Sequence, residues 1–198
     1  MTKIIDILFT NRVCFKRLIA PVLFPIMFFA CTSGEPVKPG VQAFREQIFS
    51  DFNLLKTRLI PALETDRPIA AAGREIEDFL LELKNKDQGI FGISLLDLSG
   101  EYLTGFVIDN KDTGKLIKDK YKDTNFHSYR VVEQIVNSRK VIQEQLYLQD
   151  TSILAIGFPL IREGDLLGIL CFSFKSREFE KKWGLSEKEF LQTDFGKL

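Results

Sequence analysis

Residues 153–174 read ILAIGFPLIREGDLLGILCFSF. Two apolar runs, Ile153–Ile161 and Leu166–Phe174, flank Arg162-Glu163-Gly164-Asp165. A run of this length, rich in β-branched and aromatic residues and bounded by a Gly-containing polar turn, predicts an antiparallel pair of buried strands. Upstream, Val141–Leu148 alternates apolar and polar residues and predicts a third strand, joined by a turn at Gln149-Asp150-Thr151. Further back, IFGISLLDL (90–98) and EYLTGFV (101–107) predict a hairpin around Ser99-Gly100. Asp97, just before that turn, is placed to accept its backbone amides.

The rest of the sequence carries helical periodicity. Val41, Phe44, Ile48, Phe52, Leu55 and Leu59 recur at steps of three and four, and Pro61 predicts a break or kink. A second helix is expected from near Pro68 to Lys86, with the stripe Ile69, Ala72, Ile76, Phe79, Leu80, Leu83 and with Asp66 as its cap. The polar stretch 108–125 predicts a surface connection with a short helix over Leu116–Tyr121. Phe126–Asn137 predicts a better helix, with Tyr129, Val132, Glu133 and Val136 along one side. Ser176–Phe195 predicts a partly helical tail that folds back through Phe179, Trp183, Leu185 and Phe190. The order of elements gives an α+β fold: a five-stranded antiparallel sheet with a long N-terminal helix and a helical insertion after strand 2.

The N-terminus has a different character. Lys3, Arg12, Lys16 and Arg17 precede the apolar run LIAPVLFPIMFFA (18–30). A basic flank, a short apolar core and a small residue make up the anatomy of an export signal. The 13-residue core is short against the roughly 20 apolar residues of a membrane span, and Pro21 and Pro25 interrupt it. The sequence Phe28-Phe29-Ala30-Cys31 resembles the lipobox of bacterial lipoproteins at Ala30 and Cys31, and departs from it at Phe28 and Phe29. That resemblance implies cleavage after Ala30 and acyl chains on Cys31. The expected organisation is a signal at 1–30, a flexible Gly/Pro-rich tether at 31–40 and one domain at 41–198. The chain would then lie in the cell envelope, held to the lipid bilayer through acylated Cys31 and facing the periplasm or outer surface.

Composition limits the function classes. Without residues 1–30 the 27 bases and 27 acids become 23 and 26, so no basic excess points to nucleic acid. Cys171 is then the one thiol left besides Cys31, and it reads as a small core residue without a disulfide partner. One His, His127, and no Cys-x-x-Cys-His motif leave no metal or haem signature, and no cofactor is expected. No nucleophile is paired with a base, so an enzyme is not expected.

At the level of element order the sequence resembles the extracytoplasmic Cache sensor domains, whose sheet is PAS-like. The resemblance covers about residues 41–175. It rests on Asn125–Arg130, the strand VIQEQLYL, the run Ile153–Leu160 with its small-apolar-Pro-apolar pattern, and Glu163–Leu170 with Gly168 after the turn. Where many members carry an Arg followed two residues later by a Tyr, this chain has Arg130 and then Val132. The resemblance implies a ligand-binding sensory or accessory module for a small metabolite, with a carboxylate as one expectation. It would present its state to a partner membrane protein, and a weak homodimer through the long helix is a further expectation. The rival is an assembly lipoprotein that uses the domain for protein contacts. Small residues on the strands, Gly92, Ser94, Gly105, Ala155, Gly157 and Ser173, leave volume for a ligand or for a closely packed helix, the latter favoured for Gly92 and Ser94 against the long helix. The polar groups able to meet a ligand are Tyr121, His127, Tyr129, Arg130, Tyr147 and Asp150. Arg130 is suited to a carboxylate by its two parallel donors.

Overall fold

The computed structural model describes residues 38–109, 114–148 and 151–196. Cys31, the signal segment, most of the tether and Asp150 lie outside the described residues.

Helix α1 runs Pro39–Ala62, starting on a proline whose fixed φ and missing N–H suit a first helical position. Pro61 falls in its last turn, one residue before the helix ends at Ala62. Phe44, Ile48, Phe52, Leu55 and Leu59 are all buried, as their spacing requires. Helix α2 spans Pro68–Asn85. Its N-cap is Arg67 with no side-chain cap bond, so Asp66 does not cap it; Pro68 in the first turn removes one free amide instead. Ile69 is 38% exposed; the buried face is Ala71, Ala72, Gly73, Ile76, Phe79, Leu80 and Leu83.

The strands are β1 (Gly92–Leu96), β2 (Tyr102–Ile108), β3 (Leu116–Lys118), β4 (Ile142–Leu148), β5 (Thr151–Arg162) and β6 (Asp165–Lys175). Helix α3 is Arg130–Ser138, α4 is Ser176–Trp183 and α5 is Glu187–Gln192. The described strands form one antiparallel sheet in the order β3-β2-β1-β6-β5-β4. The sheet therefore has a sixth strand. Leu116–Lys118, expected as helix, pairs with Phe106–Ile108 instead. Three residues cannot nucleate a helix without long-range help, and the free edge of β2 supplies a partner. Asp97 does organise the first turn: its Oδ1 accepts from the Ser99 and Glu101 amides and the Ser99 hydroxyl, each at 2.8 Å.

The two faces of the sheet differ. Helices α1 and α2 and the C-terminal tail cover one face and enclose the main core. There Ile93 and Leu95 are 1% exposed and Leu170 and Phe172 are 0% exposed. Phe44 sits among Phe174, Phe179, Trp183, Phe190 and Phe195, with ring centroids 5.0–6.1 Å apart. The tail thus folds back as its spacing of aromatics implied. The long-helix stripe is buried in this core. Helix α3 lies on the opposite face, with Val131, Val132 and Ile135 buried and Val136 37% exposed. That is one step out of phase with the expected stripe, because the helix begins at Arg130 and not at Phe126.

Candidate functional site

The α3 face of the sheet is built from small residues. Directly paired residues of an antiparallel ladder point to the same side. Across β2, β1, β6, β5 and β4 one row reads Val107, Gly92, Ser173, Ala155, Glu144. The next reads Gly105, Ser94, Cys171, Gly157, Ile142. Seven of these ten positions hold Gly, Ala, Ser or Cys. Gly92 and Ser94 therefore face α3, not the long helix.

Helix α3 fills one end of this floor. A Cβ on Gly157 would stand 2.5 Å from both Ile135 Cδ1 and Val131 Cγ2. The middle is different. Ser94 and Ser173, on the two central strands, are only half-buried, and the Ser173 hydroxyl donates to the Gly92 carbonyl at 3.0 Å. A six-stranded sheet with helices on both faces ordinarily buries its central strands most deeply. Partial exposure of two serines at that point shows that the covering layer does not seal the middle of the floor.

Polar groups stand around the opening. A Cβ on Gly105 would meet Tyr102 Oη at 2.6 Å, which locates that hydroxyl over the β2 side of the floor. Burial first, then the charge of Asp119 and the nearby Tyr121, push the Tyr102 pKa well above that of a free phenol. Burial raises that of Tyr121 as well. Both hydroxyls are neutral at ordinary pH and can donate or accept. Glu144 caps the start of α3 by accepting from the Val131 amide at 2.8 Å. The Cys171 thiol is pushed up to about 12 by burial and by the Glu144 charge, so it stays protonated and unreactive.

The residues singled out from sequence separate into three groups. Tyr121 and Tyr129 belong to the α3 side; Tyr121 is buried, and Tyr129 is the half-buried N-cap of α3 with its ring 5.6 Å from Phe126. His127 and Arg130 are exposed at the rim. His127 is a clasp: its Nδ1 lies 2.7 Å from the Ser99 carbonyl, and its amide donates to Asn125 Oδ1 at 2.9 Å. Gly100, at φ 84°, lets the two loops meet, since a Cβ there would stand 2.8 Å from the His127 nitrogen. Arg130 donates to the Gln143 carbonyl on β4 at 3.3 Å, so its guanidinium is held at the sheet edge. Tyr147 is 70% exposed. Its neighbours in the strand explain why: Leu146 and Leu148 face α3, so Tyr147 faces the opposite side, beside Gln145.

Tyr102 was not legible as a site residue. Strict alternation from Thr104 would point it at α2. The ladder pairs Leu95 with Thr104 but Leu96 with Tyr102, and this bulge turns Tyr102 to the α3 face. Glu144 was passed over because it sat in a strand that alternates plainly, with nothing to mark its helix-capping role.

No family model and no curated protein matches the sequence. Solved structures do. The extracellular domain of the histidine kinase candidate vpHK1S-Z8 superposes with a TM-score of 0.58 at 16% identity, over 72% of this chain and 55% of that one. The sensory domain of the Campylobacter jejuni chemoreceptor Tlp3 gives a TM-score of 0.53 at 12% identity, over 72% of this chain and 57% of that one. The same Tlp3 domain with isoleucine bound gives 0.53 at 11% identity, over 78% and 68%.

The fold is the α+β, PAS-like fold shared with these sensory domains.

The chain spans little more than half the length of the first two, 55% and 57%. No described helix is long and apolar enough to cross a membrane.

Proposed function

We propose that this chain is a lipid-anchored, extracytoplasmic ligand-binding module, sensory or accessory, that takes a small metabolite on the α3 face of its Cache-like sheet. The supporting observation is the half-buried pair Ser94 and Ser173 at the centre of a small-residue floor, with the Tyr102 hydroxyl beside it. Small side chains there leave room for a ligand, and neutral hydroxyls suit a polar metabolite. Arg130 supplies a carboxylate partner if it exchanges its bond to the Gln143 carbonyl, which at 3.3 Å is long. Tyr121 and Tyr129 then form the wall, and His127 the far rim. The Tlp3 domain is described with isoleucine and with L-valine, so an amino acid is the first class to try. The anchor is Cys31. Eight residues from Cys31 to Lys38 reach no further than about 28 Å when fully extended, so acylation would keep the domain close to the bilayer and to a partner membrane protein that reads its state.

The test is a melting screen of the full chain in detergent against amino acids and organic acids. A ligand at a hundredfold excess over its Kd stabilises the folded state by about 2.7 kcal/mol, which for this size is a rise of about 5–10 °C. Arg130→Ala should remove the rise while leaving the unliganded Tm unchanged. A hit that survives the substitution moves the carboxylate partner elsewhere.

One observation favours a second reading. The Gly157 end of the floor is already occupied by Val131 and Ile135. If no small molecule raises the Tm, the domain is an assembly lipoprotein whose α3 face serves protein contacts.

A further inference from the structure

We propose a second binding site, for a small phosphate monoester, in the cavity where α2 ends, β1 begins and α4 crosses the end of β6. This cavity has a volume of ≈ 380 Å³, within the range of roughly 300–1,000 Å³ typical of small-molecule sites. Four lysines line it, Lys84, Lys175, Lys181 and Lys182, against two acids, Asp87 and Glu178. The excess is positive, so the ligand is an anion.

The partners of these groups show which charges remain available. The Lys84 ammonium donates to the Gly114 carbonyl at 2.6 Å, and Lys182 pairs with Asp87 at 3.3 Å. Glu178 has an interaction of its own. Lys175 instead holds its ammonium 4.7 Å from the centroid of the Phe91 ring. Lys181 forms no ion pair among the described residues. Among the described residues, two ammonium groups without an ion-pair partner thus share one cavity. Lysine acts as a point charge and suits the tetrahedral spread of phosphate oxygens better than the planar fork of a carboxylate.

The remaining wall is apolar, formed by Phe91, Ile90 and Ile108. It offers a surface for an aromatic or aliphatic group attached to the phosphate. Gly89, at φ 72°, keeps the loop close to α4: a Cβ there would stand 3.2 Å from Lys182 Cγ and 3.8 Å from Trp183 Nε1. That indole N–H is buried with no hydrogen-bond partner among the described residues, and Trp183 itself does not line the cavity. Phe91 and Lys175 also lie on the α3 side, Lys175 opposite Ile153 in the ladder, but none of the small floor residues lines this cavity.

The experiment is calorimetric titration of the full chain in a neutral detergent with phenyl phosphate, inorganic phosphate, phenol and dihexanoyl phosphatidic acid. Phenyl phosphate should bind most tightly, inorganic phosphate about tenfold more weakly, and phenol not measurably. Lys175→Met and Lys181→Met should each weaken phenyl phosphate by about tenfold, the loss expected for one charge-assisted contact. Ser94→Val, a change in the α3-side floor, should leave it unaltered, which separates this site from the one proposed above. Binding that persists in the Lys175→Met/Lys181→Met double variant, or no binding of phenyl phosphate to a chain with an unchanged Tm, overturns the proposal. Tighter binding of the short-chain phosphatidic acid than of phenyl phosphate overturns it in favour of a lipid headgroup.

Discussion

Single atoms decide how the α3 face is closed. Gly157 is the tightest point: its missing Cβ is what lets Val131 and Ile135 reach the sheet. Gly157→Val should cost about 1–3 kcal/mol through overpacking, read as a lower urea midpoint with an unchanged slope. Asp51 is a cost the fold carries. It is 6% exposed, with one carboxylate oxygen accepting from the Gln47 amide at 3.0 Å and the other unpartnered. Burial raises its pKa, against the pull of the Gln47 bond and the Lys86 charge. A raised carboxyl pKa favours folding of the protonated form, so its penalty appears as pH climbs through and above the normal aspartate range. Asp51→Asn should therefore gain on the parent chain between pH 3.5 and pH 7 in paired urea titrations. A stability difference that does not change with pH would refute the assignment. At this scale the sequence was only partly legible. Asp97 could be placed from local pattern alone, but Tyr102 needed the bulge and Asp51 looked like one more charge between apolar positions.

The elements were easier to foresee than their phases. Strong periodicity located α1, α2 and the strands β1, β2, β4, β5 and β6. The exceptions are physical. Leu116–Lys118 became a strand through an edge that only the assembled sheet provides. Helix α3 begins at Arg130, so Val131 and Ile135 face the sheet, not Tyr129 and Val136. The small residues were recognised as space makers, but not the face they share, which depends on strand register. The C-terminal tail is the element most open to a direct test. Phe44 contacts five aromatic rings, Phe174 on β6 and four more on α4, on α5 and just beyond it. Phe44→Ala should cost about 3–5 kcal/mol, the range for deleting a buried aromatic. The loss should appear with increased protease cleavage after Lys181 and Lys182, where α4 then loosens. Full destabilisation with α4 still protected would mean the tail does not depend on this packing.

For the whole molecule, two separate claims meet. One is position: Cys31→Ser should yield a precursor without acyl chains, and mass spectrometry of the membrane-extracted parent should find lipid on Cys31. A mature N-terminus elsewhere would contradict the anchor. The other is binding: the α3 face is proposed to admit a ligand at its centre although helices cover both sides of the sheet. The fold itself does not decide this, since the same sheet can be packed shut. Ser94 does, because a larger apolar side chain there fills the opening while valine suits a strand. The deciding measurement is calorimetric titration of the strongest ligand from the melting screen into the parent chain and into Ser94→Val. Saturable one-to-one binding by the parent is expected, with a loss of at least about tenfold, some 1.4 kcal/mol, in a Ser94→Val variant that melts within a few degrees of it. Equal affinity in the two chains would contradict it.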